Sequence, residues 1–309
     1  MVAMSTSTAS NARPASQVSS TENPCNQTLW QQITEEVRIM AAEEALLARF
    51  LDDTILKHSN LASALSFHLA NKLGSDMTPS SMLGEVFDAA FAGQTEIIDQ
   101  VRCDIIATFE RDSACQHFST PLLYYKGFHA LSAHRVSHWL WQQNRTTLAL
   151  VLQNRISMVF GVDIHPAARL GKGLLLDHAT GLVIGETAVV EDCVSIMQSV
   201  TLGGTGKVSG DRHPKIGRGV LLGPGAKILG NITVGEGSKI VAASVVLKDV
   251  PAHSIAAGVP AKVIGEVGSG SHGTESDEPA QKMDHGLEGC GGEYSNKRCQ
   301  KTNPAAHKN

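Results

Sequence analysis

The sequence predicts an α+β chain made of two unlike halves, an all-helical N-terminal domain followed by a parallel β-helix of six-residue repeats. Three observations carry that expectation. Apolar residues recur at three- and four-residue steps from Thr28 to about Phe160. From Ile164 the period becomes six, and it is broken once by a polar insert before resuming.

In the helical half, Thr28 and Gln31 match a capping box, and Trp30, Ile33, Val37, Met40, Leu47 and Leu51 form the first stripe. Leu61, Leu65, Leu69 and Leu73 form a second, with Gly74 placed as its cap. Thr78-Pro79 opens a third helix with proline at its first position, and Gly93 closes it. Ile98, Val101, Ile105 and Phe109 mark a fourth, and two further apolar segments follow Pro121. These stripes read as core packing or subunit contact over residues 28–160, and none of their residues is singled out for chemistry.

The second half reads as hexads starting at 164, 170, 176, 182, 188, 194 and 200, and again at 216, 222, 228, 234, 240 and 246. Every leading residue is Ile, Leu, Val or Ala. An α-helix cannot give this pattern, because six residues turn it by about 600°, far from whole turns. A repeat of six is the signature of a β-helix, in which three short strands make a triangular coil and the leading residues point inward. Coils stacked at the ~4.8 Å strand spacing make a prism about 20 Å tall over residues 161–265. Gly171, Gly217, Gly223 and Gly235 hold second positions, where a bend calls for positive φ. The ten residues 206–215 leave the repeat in phase, so they are expected to protrude as a loop, carrying Asp211, Arg212 and His213 on a rigid support.

Composition bounds the rest. Of 309 residues 42% are apolar and 18% charged, with a net charge of −4, which gives no basis for a nucleic-acid surface. No run approaches the ~18 apolar residues of a membrane span. Six scattered cysteines without a C-x-x-C pair fit a reduced, cytoplasmic setting. Residues 1–27, rich in Ser, Thr and Ala, and the polar, glycine-rich residues 266–309 read as disordered ends. The N-terminal segment lacks the apolar core of a secretory signal, while organelle import by so short a stretch stays open.

Three polar clusters interrupt the repeat: Asp163 with His165, Asp177-His178, and Asp211-Arg212-His213. Acyl transfer to a hydroxyl needs a base for its proton, donors for the tetrahedral oxyanion, and a grip on the acceptor. Histidine suits the first task, and a carboxylate behind it fixes its tautomer. Asp163 and His178 are fifteen residues apart, three short of one coil, which allows neighbouring levels of one edge. The same spacing fits two solvated turn residues. Gly206-Lys207 lacks the rest of a phosphate loop, and Cys193 has no basic neighbour to activate it as a nucleophile.

The runs STPLLYYKGFHAL (119–131), DIHPAARLGKGLLLDHATGLVIGETAVV (163–190), VTLGGTG (200–206), GDRHPKIG (210–217) and AAGVPAK (256–262) resemble the serine acetyltransferase family. The resemblance covers about residues 30–265, helical half included, and implies a left-handed coil. It implies His178 as base with Asp163 as its partner, and Asp112, Asp177, Arg212 and His213 around the serine. Gly203, Gly204 and Thr205 would lie along the thioester, and Ala242, Ala243 and Lys262 along the rest of acetyl-CoA. Acetyl-CoA would be a co-substrate, with no tightly bound cofactor and no metal. Transfer would be direct, between neighbouring prisms of a homotrimer, with two trimers joined through helical domains. Family members that dock on O-acetylserine sulfhydrylase end in isoleucine; this chain ends in Asn309, which places that partnership in doubt. The competing class is a hexapeptide metal enzyme with His165, His178 and His213 as ligands, which Arg212 beside His213 opposes.

Overall fold

A computed structural model of the chain describes residues 29–206, 209–267 and 279–283. The helical half contains α1 (Leu29–Glu43), α2 (Ala48–Leu51), α3 (Leu61–Leu73), α4 (Ser80–Gly93), α5 (Glu96–Arg111), α6 (Ser119–Tyr124), α7 (Lys126–Gln142) and α8 (Thr146–Phe160). The apolar stripes are its core, with Ile33, Val37, Leu65, Leu69, Leu73, Val101 and Ile105 fully buried. Each such side chain contributes ~1.5–3 kcal/mol on burial. Local expectations shift in three places. The first stripe is divided, because α1 ends at Glu43 and α2 runs into a π-helical turn (Asp52–Leu56). Pro79 is the N-cap of α4, so the helix proper begins at Ser80. Gly74 has φ −59° rather than a left-handed conformation, and Arg155 of α8 satisfies the end of α3 by donating to the carbonyls of Leu73 (2.8 Å) and Gly74 (3.0 Å). Thr28 lies outside the described residues.

The second half is a three-sided parallel β-helix. Face A holds β1 (Val162–Ile164), β4 (Leu182–Ile184), β7 (Thr201–Gly203), β10 (Lys227–Leu229) and β13 (Val245–Val246). Face B holds β2 (Arg169–Leu170), β5 (Val189–Val190), β8 (Lys215–Ile216) and β11 (Thr233–Val234). Face C holds β3 (Leu175–Leu176), β6 (Ser195–Ile196), β9 (Leu221–Leu222), β12 (Lys239–Ile240) and β14 (Ser254–Gly258), and β15 (Ala261–Glu266) closes it antiparallel.

Strand register corrects the repeat frame. Ile164 pairs with Ile184, Leu170 with Val190 and Leu176 with Ile196, so the first coil takes twenty residues. Later coils take eighteen, as in Leu222 on Ile240. The two extra residues fall in the corner that holds Asp177 and His178. Across the protruding loop Leu202 pairs with Ile228, so that coil gains eight residues, not ten. The slip is hidden in the sequence because Leu182, Ala188, Val194 and Val200, two positions before the true leading residues, are also buried apolar groups.

The second-position glycines serve close approach rather than positive φ. A Cβ on Gly171, Gly217 or Gly223 would stand 2.7 Å from a backbone nitrogen of the next coil. Left-handed φ occurs two residues later, at Gly173, Gly219, Gly225 and Gly237, and without glycine at Cys193, Ser199 and Ala243.

Among the contacts that fix the helices on the prism, two are closely packed. Arg135 of α7 donates from Nη2 and Nε to Asp104 Oδ2 of α5 (2.6 and 3.0 Å), and from Nη2 to the Gly171 carbonyl (2.8 Å). Asp104 Oδ1 in turn accepts the Leu174 amide (2.9 Å). Both side chains are buried, and breaking such a pair costs about 3–5 kcal/mol. At Gly127 a Cβ would lie 2.0 Å from the Leu176 carbonyl oxygen, so only glycine lets α7 rest on face C. Part of the C-terminal segment, expected to be disordered, packs as a helix. Helix α9 (Pro279–Lys282) seats Ala280 with no exposure, its carbonyl accepting from Ser195 Oγ (2.9 Å). Residues 305–309, which bear on the sulfhydrylase, lie outside the described residues.

Candidate active site

The chain passes from face C to face A through Asp177–Gly181, and the two additional residues widen this corner. His178 and Ala179 both take left-handed φ (54° and 57°), as does Gly181 (73°). For non-glycine residues this conformation is costly. Its result is that the His178 side chain stands 73% exposed, with Nε2 3.8 Å from Asp177 Oδ1. The helical half completes the edge. Asp112 caps α5 and accepts the Ala114 amide (2.8 Å), while the Tyr125 hydroxyl bonds to Asp112. Burial, then the bond and charge of Asp112, with smaller effects from Cys115 and Asp177, push the Tyr125 hydroxyl well above its ordinary pKa. Lys126 Nζ donates to Thr180 Oγ1, tying α7 to the same corner.

Asp163 sits in the middle of β1, between the buried Val162 and Ile164, and therefore projects from face A rather than from an edge. Its Oδ1 accepts from Gln153 Nε2 (2.7 Å). Among the described residues no ion pair within 4.0 Å joins it to His178, whose charged neighbour is Asp177.

The opposite edge of face A, where the chain turns toward face B, holds the other cluster. Gly185-Glu186-Thr187 follows β4, and the loop returns through Arg212-His213 to β8. Arg212 Nη2 lies 2.6 Å from Glu186 Oε2, which holds the Glu186 carboxyl below its usual range. His213 is buried, and its pKa is lowered by that burial and by Arg212. His165, one coil away, is lowered by burial against the pull of Glu186 and Asp163. Lys215 Nζ pairs with Asp211 Oδ1 (2.6 Å) and braces the loop. Gly203, Gly204 and Thr205 lead into it; a Cβ on Gly204 would come 3.4 Å from the Arg212 carbonyl oxygen.

The structure thus sorts the expected residues onto two edges of one face. Asp112, Asp177 and His178 share one, with Ala242 and Ala243 exposed higher on it. Arg212, His213 and Gly203–Thr205 share the other. Lys262 is exposed on β15, where it pairs with Ala257 of β14. Tyr125, Lys126, Gln153, Glu186 and Thr187 were not marked by sequence reasoning. Glu186 and Thr187 look like ordinary turn residues until register places them against the loop.

The match with known proteins is extensive. Residues 29–133 match the family model for serine acetyltransferase, N-terminal, and residues 213–248 the bacterial transferase hexapeptide model. The serine acetyltransferase of Salmonella typhimurium is 56% identical over 268 residues, covering 86% of this chain and 96% of that protein. The chain belongs to the serine acetyltransferase family. Serine acetyltransferases of solved structure share its shape as well. The Brucella abortus enzyme in complex with coenzyme A has a TM-score of 0.76 at 53% identity, covering 77% of this chain and 95% of that one. The soybean enzyme complexed with serine has a TM-score of 0.75 at 56% identity, covering 76% and 97%. As a serine acetyltransferase family member, this chain is an acyltransferase.

Proposed function

We propose that the two edges of face A divide the transfer of acetyl from acetyl-CoA to the hydroxyl of L-serine, giving O-acetyl-L-serine and CoA, the entry step of cysteine biosynthesis. The observation that carries this reading is the pairing of an exposed imidazole on one edge with an Arg-His anion grip on the other. Within one chain the edges stand on either side of face A. A threefold arrangement of prisms sets the His178 edge of one copy against the loop edge of the next, so the complete site belongs to a homotrimer. The helical halves, where Leu46 and Met77 are largely exposed, supply the surface for joining two trimers.

His178 takes the hydroxyl proton as the serine oxygen attacks the thioester carbonyl. A C–O bond forms, the C–S bond breaks, and the proton passes from His178 to the departing CoA thiolate. Because His178 is exposed, it can turn over face A toward Asp163, which then supports the imidazolium. Backbone amides around Gly203-Gly204-Thr205 meet the oxyanion. Asp112 and Asp177 hold the ammonium of serine, and Arg212 with His213 hold its carboxylate. Ala242, Ala243 and Lys262 line the path of the pantetheine and nucleotide. The Brucella complex with coenzyme A and the soybean complex with serine support both ligands.

The test is His178→Ala. Its kcat should fall by roughly 10²–10⁴, the usual cost of losing a general base, while acetyl-CoA still binds. Retention of more than half the activity would remove His178 from this role. A stable acetyl adduct on the protein, formed without serine, would overturn direct transfer.

A further inference from the structure

Thr187 is bonded to the returning loop at more points than a turn residue needs. Its amide donates to His213 Nδ1 (3.1 Å) and its Oγ1 lies 2.9 Å from the same nitrogen. That Oγ1 also accepts the backbone N–H groups of Arg212 and His213, each at 3.0 Å. Its carbonyl accepts from Lys215 Nζ (3.0 Å). The neighbouring Gly185 makes room: a Cβ there would stand 2.0 Å from His213 Nε2, so the imidazole lies directly on the glycine.

The donor and acceptor inventory turns these contacts into a statement about protonation. A backbone N–H can only donate, so His213 Nδ1 is an acceptor and its proton resides on Nε2. Thr187 Oγ1 already accepts two amides, and the acceptors beside its own hydroxyl hydrogen are His213 Nδ1 and the Asp211 carboxylate. Protonating Nδ1 would set donor against donor. We propose that Thr187 is a positioning residue for the acceptor site, fixing His213 as the neutral Nε2–H tautomer and holding the Arg212-His213 backbone in place. This rests on the assignment of His213 to the serine carboxylate. Glu186 orients the Arg212 guanidinium from the same turn, so one tripeptide of the second coil aims both groups. The charged or titratable groups facing His213 are Arg212, Glu186, Lys215 and His165.

The experiment compares wild type, Thr187→Val, Thr187→Ser and His213→Ala in steady-state kinetics from pH 5.5 to 9. Thr187→Val should raise the KM for serine about tenfold, the scale of a lost hydrogen bond to a functional group. The KM for acetyl-CoA should stay within twofold. The acid limb of kcat/KM for serine should move to higher pH, because a loosened His213 protonates more readily. Thr187→Ser, which keeps the hydroxyl, should restore both. Should valine disturb the coil, as a lowered melting temperature would reveal, Thr187→Ala removes the hydroxyl without that branching. In ¹⁵N-histidine-labelled protein without ligands, the His213 Nδ1 signal of the wild type should be that of an unprotonated ring nitrogen. An Nδ1–H signal, or an unchanged serine KM in Thr187→Val and Thr187→Ala beside an impaired His213→Ala, overturns the role of Thr187 alone. An unchanged KM in His213→Ala overturns the acceptor-site assignment itself.

Discussion

Arg212 shows how one residue can be placed by its charge partners before any ligand arrives. Its guanidinium is held by Glu186 and by the Gly210 carbonyl (3.0 Å). Neither contact belongs to the prism core, so replacing Arg212 leaves the buried ladder alone. A planar guanidinium makes two parallel bonds to a carboxylate, a geometry that lysine lacks. Arg212→Lys is expected to raise the KM for serine, and Arg212→Ala to raise it further, with the KM for acetyl-CoA and the melting temperature nearly unchanged. An acceptor without a carboxylate, such as ethanolamine, should barely distinguish wild type from Arg212→Ala. Weakened acetyl-CoA with unaltered serine would assign the loop to the nucleotide phosphates instead.

At the scale of elements, the corner between β3 and β4 matters most. Two residues beyond the regular coil put His178 on a strained bulge, while Tyr125, between α6 and α7, and Lys126, at the start of α7, stand at the same corner. Deleting Ala179 and Thr180 restores an eighteen-residue coil and lets the ladder continue from Leu176 to Ile184. The variant is expected to form the β-helix, seen as an unchanged far-ultraviolet spectrum, yet to lose at least about 10²-fold in kcat, the low end for an absent base. Activity within a few-fold of wild type would show that the bulge is not what presents His178.

For the whole molecule, stability is tied to histidines buried in the neutral form. Burial lowers His68 to about 4 and takes His129 and His134 well below 6.5. In the unfolded chain these rings titrate near their ordinary pKa of 6.5. The unfolded state therefore binds more protons below that pH, and stability must fall as pH drops. The contribution is complete above pH ~6.5 and is lost progressively toward pH 4. Denaturant titrations over this window should show the decline, and His68→Phe should flatten it by about one proton, up to ~1.4 kcal/mol per pH unit. A slope unaffected by His68→Phe would mean that its ring is protonated in the folded state.

The sequence by itself determined the two halves and the inward ladder, because apolar periodicity is a direct imprint of burial, and its motif runs resemble the family to which the chain belongs. It also marked His178, Asp163, Arg212 and His213, since polar residues stand out against a bland repeat. It did not determine the frame. Two adjacent inward rows are both apolar, so a slip of two residues at Asp177–Gly181 leaves the periodicity intact and only hydrogen-bond register reveals it. The same holds for Thr187 and Glu186, turn residues whose partners lie 26 positions away along the chain. Which carboxylate neighbours His178, and which residues share an edge, were decided by the tertiary structure. Those relations depend on how many residues each coil spends in its corners, and the count becomes visible only when strands pair.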